Sequence, residues 1–391
     1  MSARGYLGVA IPLRTANAGL VVALPVLAVQ EVHDLALGGA LVAVALVPSV
    51  LTAPLVGVWL DRAAHPRRLV LIGGVVTALT FAIAAMLGAI PTPVVVGALI
   101  VSGCATQLFM GGLSSFVGGE VAPDQRAYAV DALAYNVTSV IGPTLVAITL
   151  AVSSARTAVW LLACCALLGS ILSGGVRMPR RESPRSSIAA TMIAGVRQLV
   201  FHRPLAVVTA SGTLTQLGAG ALPIAAVLLG IARAGGAGTA AVLMTAFAVG
   251  GVAGALIVTV SPARIRRPEW VMMFGFAAIG VSTFAAIPDW GIVWTLATFV
   301  VAGVFTGPST AAMLLLRAQQ SPAAVRSQVF AVSAGLRVTV GGIGAAVAGA
   351  LAGLDAGPLL LAIGGVWVAS AAVMLAYPRG VVPIEGGGIA A

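Results

Sequence analysis

The 391-residue chain has no lysine, three histidines, three cysteines and only 11 acidic residues, and charged residues make up just 8% of it. Each shortage removes a class of function. Without lysine there is no Gly-x-x-x-x-Gly-Lys-Ser/Thr loop to cradle a nucleotide phosphate, which speaks against an ATP-driven pump powered by this chain itself. His33, His65 and His202 stand apart, no His-Glu-x-x-His occurs, and no paired aspartates suggest proteolysis within a membrane, so no enzyme is expected. Cys104, Cys164 and Cys165 all fall in apolar stretches, with neither metal-ligand spacing nor an extracellular pair. They read as small packing residues, and no metal, cofactor or disulfide framework is expected. No filter sequence or ring of charge indicates a channel.

What fills the chain instead is hydrocarbon. It is 60% hydrophobic, with a mean hydropathy of +1.09, more apolar surface than a soluble domain can hide. Stretches of about twenty apolar residues, enough to cross a bilayer core of about 30 Å, recur near residues 9–30, 37–60, 69–90, 94–117, 130–152, 157–176, 205–230, 238–260, 269–288, 291–316, 328–353 and 358–377. These predict an all-α integral membrane protein with twelve transmembrane helices.

The net charge of +10 is arranged for a bilayer, and a nucleic-acid partner is unnecessary. With a cytoplasmic N-terminus, the inside connections collect Arg4, Arg62, Arg67, Arg68 and Arg126, the run Arg177–Arg203, and then Arg264, Arg266, Arg267, Arg317, Arg326 and Arg379. Outside fall only Arg156 and Arg233, beside Glu31, His33, Asp34, Asp289 and Asp355. This follows the positive-inside rule and predicts a multi-pass protein of the cytoplasmic (inner) membrane with both termini in the cytoplasm. Trp59, Trp160, Trp270, Trp290 and Trp294 lie near the expected interfaces, whereas Trp367 is mid-span. Met1–Arg4 runs straight into the first span, so no cleavable signal is expected.

The polar segment Arg177–Arg203 divides six spans from six. The expected units are an N-terminal bundle at 1–176, a cytoplasmic linker at 177–203, a C-terminal bundle at 204–378 and a tail at 379–391. Ile188, Met192, Val196 and Leu199 recur at helical spacing, which predicts an amphipathic helix over 188–201 on the inner membrane surface. An internal repeat supports the division. Pro123-Asp-Gln-Arg126 leads into a span carrying Gly142, and Pro322-Ala-Ala-Val-Arg326 leads into one carrying Gly342.

Between the second and third spans, Gly57-Val-Trp-Leu-Asp61-Arg62-Ala-Ala-His65-Pro66-Arg67-Arg68 turns the chain at one water interface. Glycine permits close helix approach, Asp61 can accept from helix N-terminal N–H groups or pair with an arginine, and the arginines hold the loop in the cytoplasm. The segment resembles the signature loop of the major facilitator superfamily, keeping Gly57, Asp61, Arg62, Arg67 and Arg68 and departing at Trp59, Leu60 and Ala64-His65-Pro66. Pro123-x-x-Arg126-Ala127-x-Ala129 extends the resemblance. Ala194–Arg197 with His202-Arg203-Pro204 is similar to the approach to the seventh span in drug and siderophore exporter branches. The resemblance implies two pseudo-symmetric six-helix bundles rocking about a cavity lined by the first, fourth, seventh and tenth helices. It also implies a conformational switch built from Gly57, Asp61, Arg62, Arg67, Arg68 and Arg126.

Polar periodicity offers cavity candidates on those helices. Thr209, Thr213, Gln216 and Gly220 share one face of the seventh, and Thr295, Thr298, Ala302, Thr306 and Ser309 form a similar stripe on the tenth. The fourth offers Ser102, Thr106 and Gln107, with Ser114 on the face of Gln107, and the first offers Asn17. Hydroxyls are also common packing elements between membrane helices, so the amides are the sharper markers. Arg337 lies about 16 Å along its helix from Arg326, near mid-membrane, where a charge needs a partner or water: an anionic substrate group, an acid, or a snorkelling reach to the inner surface. Asn136 is near its pseudo-symmetric position.

Proton coupling usually needs a titrating carboxylate. The candidates are Asp131 inside the fifth span and Glu31 and Asp34 at the outer end of the first, with a structural pairing the favoured reading for each. The antiporter motif of the fifth helix is represented only by Gly142-Pro143, which puts antiport in doubt. The expected function is secondary active transport of a small organic solute by alternating access, with efflux of an amphipathic or hydrophobic compound ahead of proton-linked import or exchange of an anionic metabolite. A transport-inactive receptor or assembly partner is the reading from another class. The expected partners are the small-molecule substrate, the lipid bilayer and protons as candidate coupling ion, with the protein a monomer.

Overall fold

The computed structural model describes residues 3–63, 65–110, 113, 124–176, 197–260, 267–321, 326–378 and 380. Twelve α-helices account for nearly all of them: α1 (Ala3–Val32), α2 (Leu35–Arg62), α3 (Pro66–Ala84), α4 (Thr92–Thr106), α5 (Asp124–Val152), α6 (Ala155–Ser173), α7 (Arg203–Ala234), α8 (Thr239–Val260), α9 (Pro268–Ala285), α10 (Ile292–Gln319), α11 (Arg326–Ala350) and α12 (Ala356–Val373). A 3-10 turn follows at Met374–Ala376. Nine helices among the described residues are long and apolar enough to cross a membrane, and shorter apolar segments lie in α2, α4 and α5. The twelve expected spans thus appear in order. The fourth departs most, because α4 gives way to turns at residues 107–110.

Local chemistry fixes where the helices start and stop. Asp34 caps α2 by accepting from the Leu37 N–H at 2.9 Å, and Ser154 caps α6 through the Thr157 N–H. Pro66, Pro204 and Pro268 sit in the first turn of α3, α7 and α9, where their missing N–H costs nothing. Gly235 ends α7 with φ +68°, a left-handed conformation that a side chain would strain. Inside the helices most hydroxyls donate to the preceding turn, as in Thr77 to Gly73 O, Thr138 to Ala134 O and Ser370 to Val366 O. This keeps polar groups satisfied in hydrocarbon.

The helices form two bundles with the same internal pattern. In the first, α1 packs on α2, α5 and α6, α3 on α4 and α6, and α4 on α2; in the second, α7 packs on α8, α11 and α12, α9 on α10 and α12, and α10 on α8. The helix starts echo one another as well, 3 with 203, 66 with 268, 92 with 292 and 155 with 356. Between bundles, α2 meets α11 and α5 meets α8, the former more extensively.

The face at which α1 begins carries Arg67, Arg68, Arg203 and Arg267 and is here called the arginine-rich face. On the opposite side, one apolar core joins both bundles. It takes in α1 from Ala16 to Ala28, Leu41 and Val42 of α2, α7 from Ala221 to Leu229, Ala240 and Leu243 of α8, and Ala345 and Ala348 of α11. The same core runs on through the second bundle to Met272, Leu316 and Met374, and two smaller cores of described residues lie toward the arginine-rich face. Tyr6, Val9, Leu13, Val70, Phe109 and Ala134 belong to the first bundle, and Leu199, Leu205 and Val329 to the second. The core that joins the two bundles thus closes the molecule on the far side. Ile72, Leu79, Ile148, Ile171, Phe274, Val281 and Leu361 remain exposed on the periphery, as lipid-facing side chains must.

Of the linker, residues 177–196 lie outside the described residues. Its last turn, 197–201, is helical, with Leu199 buried and Arg197, Val200 and Phe201 exposed. The tail beyond 380 also lies outside the described residues.

Candidate substrate-binding site

The second bundle holds a pocket lined by Thr215, Gln216, Phe276, Ile279, Thr306, Thr310, Met313, Arg337 and Trp367. Five helices converge to build it. Glycines bring them close: a Cβ on Gly218 of α7 would lie 2.7 Å from Trp367 Nε1, and one on Gly220 would collide with the Gly341 carbonyl of α11. Trp367, the tryptophan that interface placement left unexplained, packs edge-on against Phe276 at 5.6 Å. One wall is thus aromatic and apolar, while the other carries hydroxyls, an amide and a guanidinium.

The polar wall divides by how well its groups are already satisfied. Thr215 donates to Gly212 O at 2.8 Å and Thr306 to Gly303 O at 2.7 Å, so their hydroxyl protons are engaged within their own helices. Gln216 Nε2 reaches only Thr215 Oγ1, at 3.4 Å. Arg337 Nε has no hydrogen-bond partner. A half-buried guanidinium with an unbonded Nε is the strongest ligand-directed feature of the pocket.

The expected stripe on α10 is turned differently. Thr295, Thr298, Ala302 and Ser309 are buried; Ser309 donates to Phe305 O and abuts Gly275 of α9, and Thr295 accepts from Arg233 at 2.7 Å. Of that stripe only Thr306 reaches the pocket, where Thr310 and Met313 join it. On α7, Gln216 faces the pocket as expected, Thr213 is half-buried, and Thr209 is buried with its hydroxyl unpartnered.

The first bundle presents Asn17, Thr106 and Gln107, all half-buried. Thr106 donates to Ser102 O, and Asn17 Nδ2 has no partner. The sequence reading missed Arg14, which is 1% exposed in α1. It donates to Met110 O at 3.2 Å and stacks over the Tyr135 ring at 3.7 Å, with Tyr6 at 5.7 Å. The reading also missed that Arg317, assigned to a connection, is 2% exposed within α10. A basic residue flanked by apolar text, as in Pro12-Leu13-Arg14, was the available signal.

The switch and coupling candidates separate in a similar way. Arg67 Nη1 donates to Gly174 O at 3.0 Å, so a cation closes the carbonyl end of α6, while Arg68 is exposed. Glu31 is ion-paired with Arg156, which also donates to Leu87 O, and Asp34 is the α2 cap. The side chains of Gly57, Asp61, Arg62, Arg126, Asp131 and Asn136 lie outside the described residues. Near the membrane surface, burial lowers the His202 pKa from its ordinary value.

Comparison with known proteins accords with this geometry. The sequence profile of the Major Facilitator Superfamily matches residues 7–346. The chain is 25% identical over 379 residues to the uncharacterized MFS-type transporter y4rN of Sinorhizobium fredii (strain NBRC 101917 / NGR234), covering 95% of this chain and 93% of that one. Among solved structures, a mutant of the nucleoside transporter NupG superposes with a TM-score of 0.80 at 14% identity, over 96% of this chain and 100% of the other. A POT family transporter in complex with 5-aminolevulinic acid gives 0.76 at 12% identity, over 95% of each.

Proposed function

This chain belongs to the Major Facilitator Superfamily, and from that premise we propose that it is a monomeric alternating-access carrier for a small amphipathic organic anion. Its setting is the cytoplasmic membrane, with the arginine-rich face and both termini in the cytoplasm. Membership makes it a multi-pass secondary transporter rather than an enzyme. The cargo is read from one observation: Arg337 stands without a partner for its Nε at a pocket whose facing wall is Phe276, Ile279, Met313 and Trp367. A guanidinium in low dielectric selects an oxyanion, and the aromatic wall rewards an apolar body. A wholly hydrophobic cargo would leave that guanidinium desolvated and unpaired.

Asp61, Arg62, Arg67, Arg68, Arg126 and Gly57 are assigned to the conformational switch, and Asn17, Thr106, Gln107 and Asn136 to the opposite wall of the cavity. The direction proposed is outward, carried by the resemblance of the approach to α7 to exporter branches. Proton-linked import or exchange is the second reading, favoured by the same guanidinium, with Asp131 as its proton carrier.

Counterflow of an aryl carboxylate and of its neutral amide in proteoliposomes, with and without a pH gradient, tests the proposal. Arg337→Ala is expected to cut carboxylate flux by about tenfold or more, the worth of about 1.4 kcal/mol, while the amide flux changes little. Equal losses for both, or lower protein yield with unchanged flux per molecule, would reject Arg337 as a substrate contact. Absence of any flux in wild type would favour a transport-inactive receptor.

A further inference from the structure

Arg317 continues the pocket-facing stripe of α10. Thr306, Thr310, Met313 and Arg317 follow i, i+4, i+7 and i+11 on one helical face, and the first three line the pocket with Arg337. The side chain lies along the seam with α7, where Gly212 makes room: a Cβ there would collide with Met313 Sδ and come within 3.3 Å of Arg317 Nη2. Arg317 is 2% exposed, yet its Nε and Nη2 have no hydrogen-bond partner, like Nε of Arg337. The two cations are close enough to act on one another electrostatically.

Other buried or half-buried arginines of the described residues each have at least one partner, although Nε of Arg14 and of Arg156 is likewise without a hydrogen bond. Arg14 has a carbonyl and two tyrosine rings, Arg156 has Glu31, and Arg233 has Asp289, Thr295 and Ile287 O. The described carboxylates, Glu31, Asp34, Glu269, Asp289 and Asp355, all sit at helix ends or in connecting turns, and neither described ion pair involves Arg317 or Arg337. Two like charges held in one bundle with little water repel, an arrangement that stands only if water or an anion compensates it.

We infer that Arg317 and Arg337 together form a two-cation site for a doubly charged oxyanion group of the substrate, a phosphate monoester or a dicarboxylate. The inference rests on the reading of Arg337 as a substrate contact. A single carboxylate neutralises one guanidinium and leaves the other buried and charged. A dianion satisfies both, and the planar donor fork of each arginine suits paired oxygens. Arg337 meets the group at the pocket, and Arg317, one turn past Met313 toward the arginine-rich face, draws it in from that side.

The test uses purified full-length protein at about pH 7.5, where a phosphate monoester is dianionic, with phenyl phosphate, phthalate and benzoate as probes in thermal-shift and equilibrium-binding titrations. Wild type is expected to bind at least one dianion about tenfold or more tightly than benzoate, and the tighter of the two identifies the group. Arg317→Gln should erase that preference while leaving benzoate affinity within about twofold, whereas Arg337→Gln should weaken all three. Arg317→Met, which removes an uncompensated charge and keeps the bulk, should raise the unfolding temperature of the ligand-free protein; a lower one marks a structural arginine and overturns the inference. Equal affinity of wild type for benzoate and both dianions also overturns it, while leaving Arg337 as a substrate contact if Arg337→Gln still weakens benzoate. Indifference of all three probes to Arg337→Gln overturns both readings.

Discussion

Gly39 is the point at which the closed side of the carrier is most sensitive to added bulk. A Cβ there would collide with the Ala345 carbonyl and stand 2.8 Å from Gly349 Cα and 3.1 Å from Gly349 N, all backbone atoms of α11. The contact is reciprocal, since a Cβ on Gly349 would lie 2.9 Å from both the Ala36 carbonyl and Gly39 Cα. Backbone cannot rotate out of the way as a side chain can, so Gly39→Val must move α2 off α11. Overpacking of this kind costs about 1–3 kcal/mol, and only the arrangement with the seam closed bears that cost. The ratio of closed to open seam should then fall about 5- to 150-fold. Spin labels at His33→Cys and Gly353→Cys, both exposed in the turns on that side, in a background lacking Cys104, Cys164 and Cys165, would read the change by pulsed electron resonance as a gain of longer distances. Turnover should fall with it. Gly365→Val is the control, because nothing lies within 4 Å of a Cβ at that position. An unchanged distance distribution for Gly39→Val, or an equal change for Gly365→Val, would refute the reasoning.

Further outcomes follow from the same structure. Arg233 has a side chain 6% exposed with three partners, so Arg233→Ala should destabilise by about 2–3 kcal/mol, whereas the more exposed Arg156–Glu31 pair should contribute no more than about 1 kcal/mol; thermal unfolding of Arg233→Ala and Arg156→Ala compares them. His202 has its pKa lowered by burial, so the unfolded chain takes up the proton first. Stability is then full above about pH 6.5 and declines as pH falls through that value toward the lower folded one, a slope that His202→Gln should flatten in a pH series of unfolding temperatures. Asp61→Asn should slow turnover with little change in substrate affinity, measured by flux against binding in one preparation, and a large affinity loss at unchanged turnover would remove Asp61 from the switch.

The span pattern was legible because hydrocarbon imposes a length and water imposes arginine. Helix starts such as 92 and 292 needed no tertiary information beyond that. Which way each helix turns was less legible, because rotation is decided by the neighbour. Ser309 and Thr306 are three residues apart and equally polar, yet Gly275 of α9 accepts the first into a helix contact and leaves the second at the pocket. Arg317 was hidden for a related reason. Two residues from the end of α10 it reads as a loop cation, and only the small Gly212 opposite shows that it is held inside. Arg14 was overlooked because attention to charge in the connections passes over a lone cation in an apolar run, and its stabilisation comes from Tyr6 and Tyr135, far apart in sequence. The loop at Gly57–Arg68 was informative by resemblance, and among its described residues Arg67 binds the end of α6.

On the side where the two halves touch, both ion pairs among the described residues stay within one half: Glu31 with Arg156, and Arg233 with Asp289. Each half is riveted to itself, while the joint between halves is a dry surface of glycine, alanine and valine backbone. Parting such a joint breaks dispersion contacts and no ionic latch. Its opening should be indifferent to dissolved salt, and it should answer instead to the thickness and lateral pressure of the surrounding lipid.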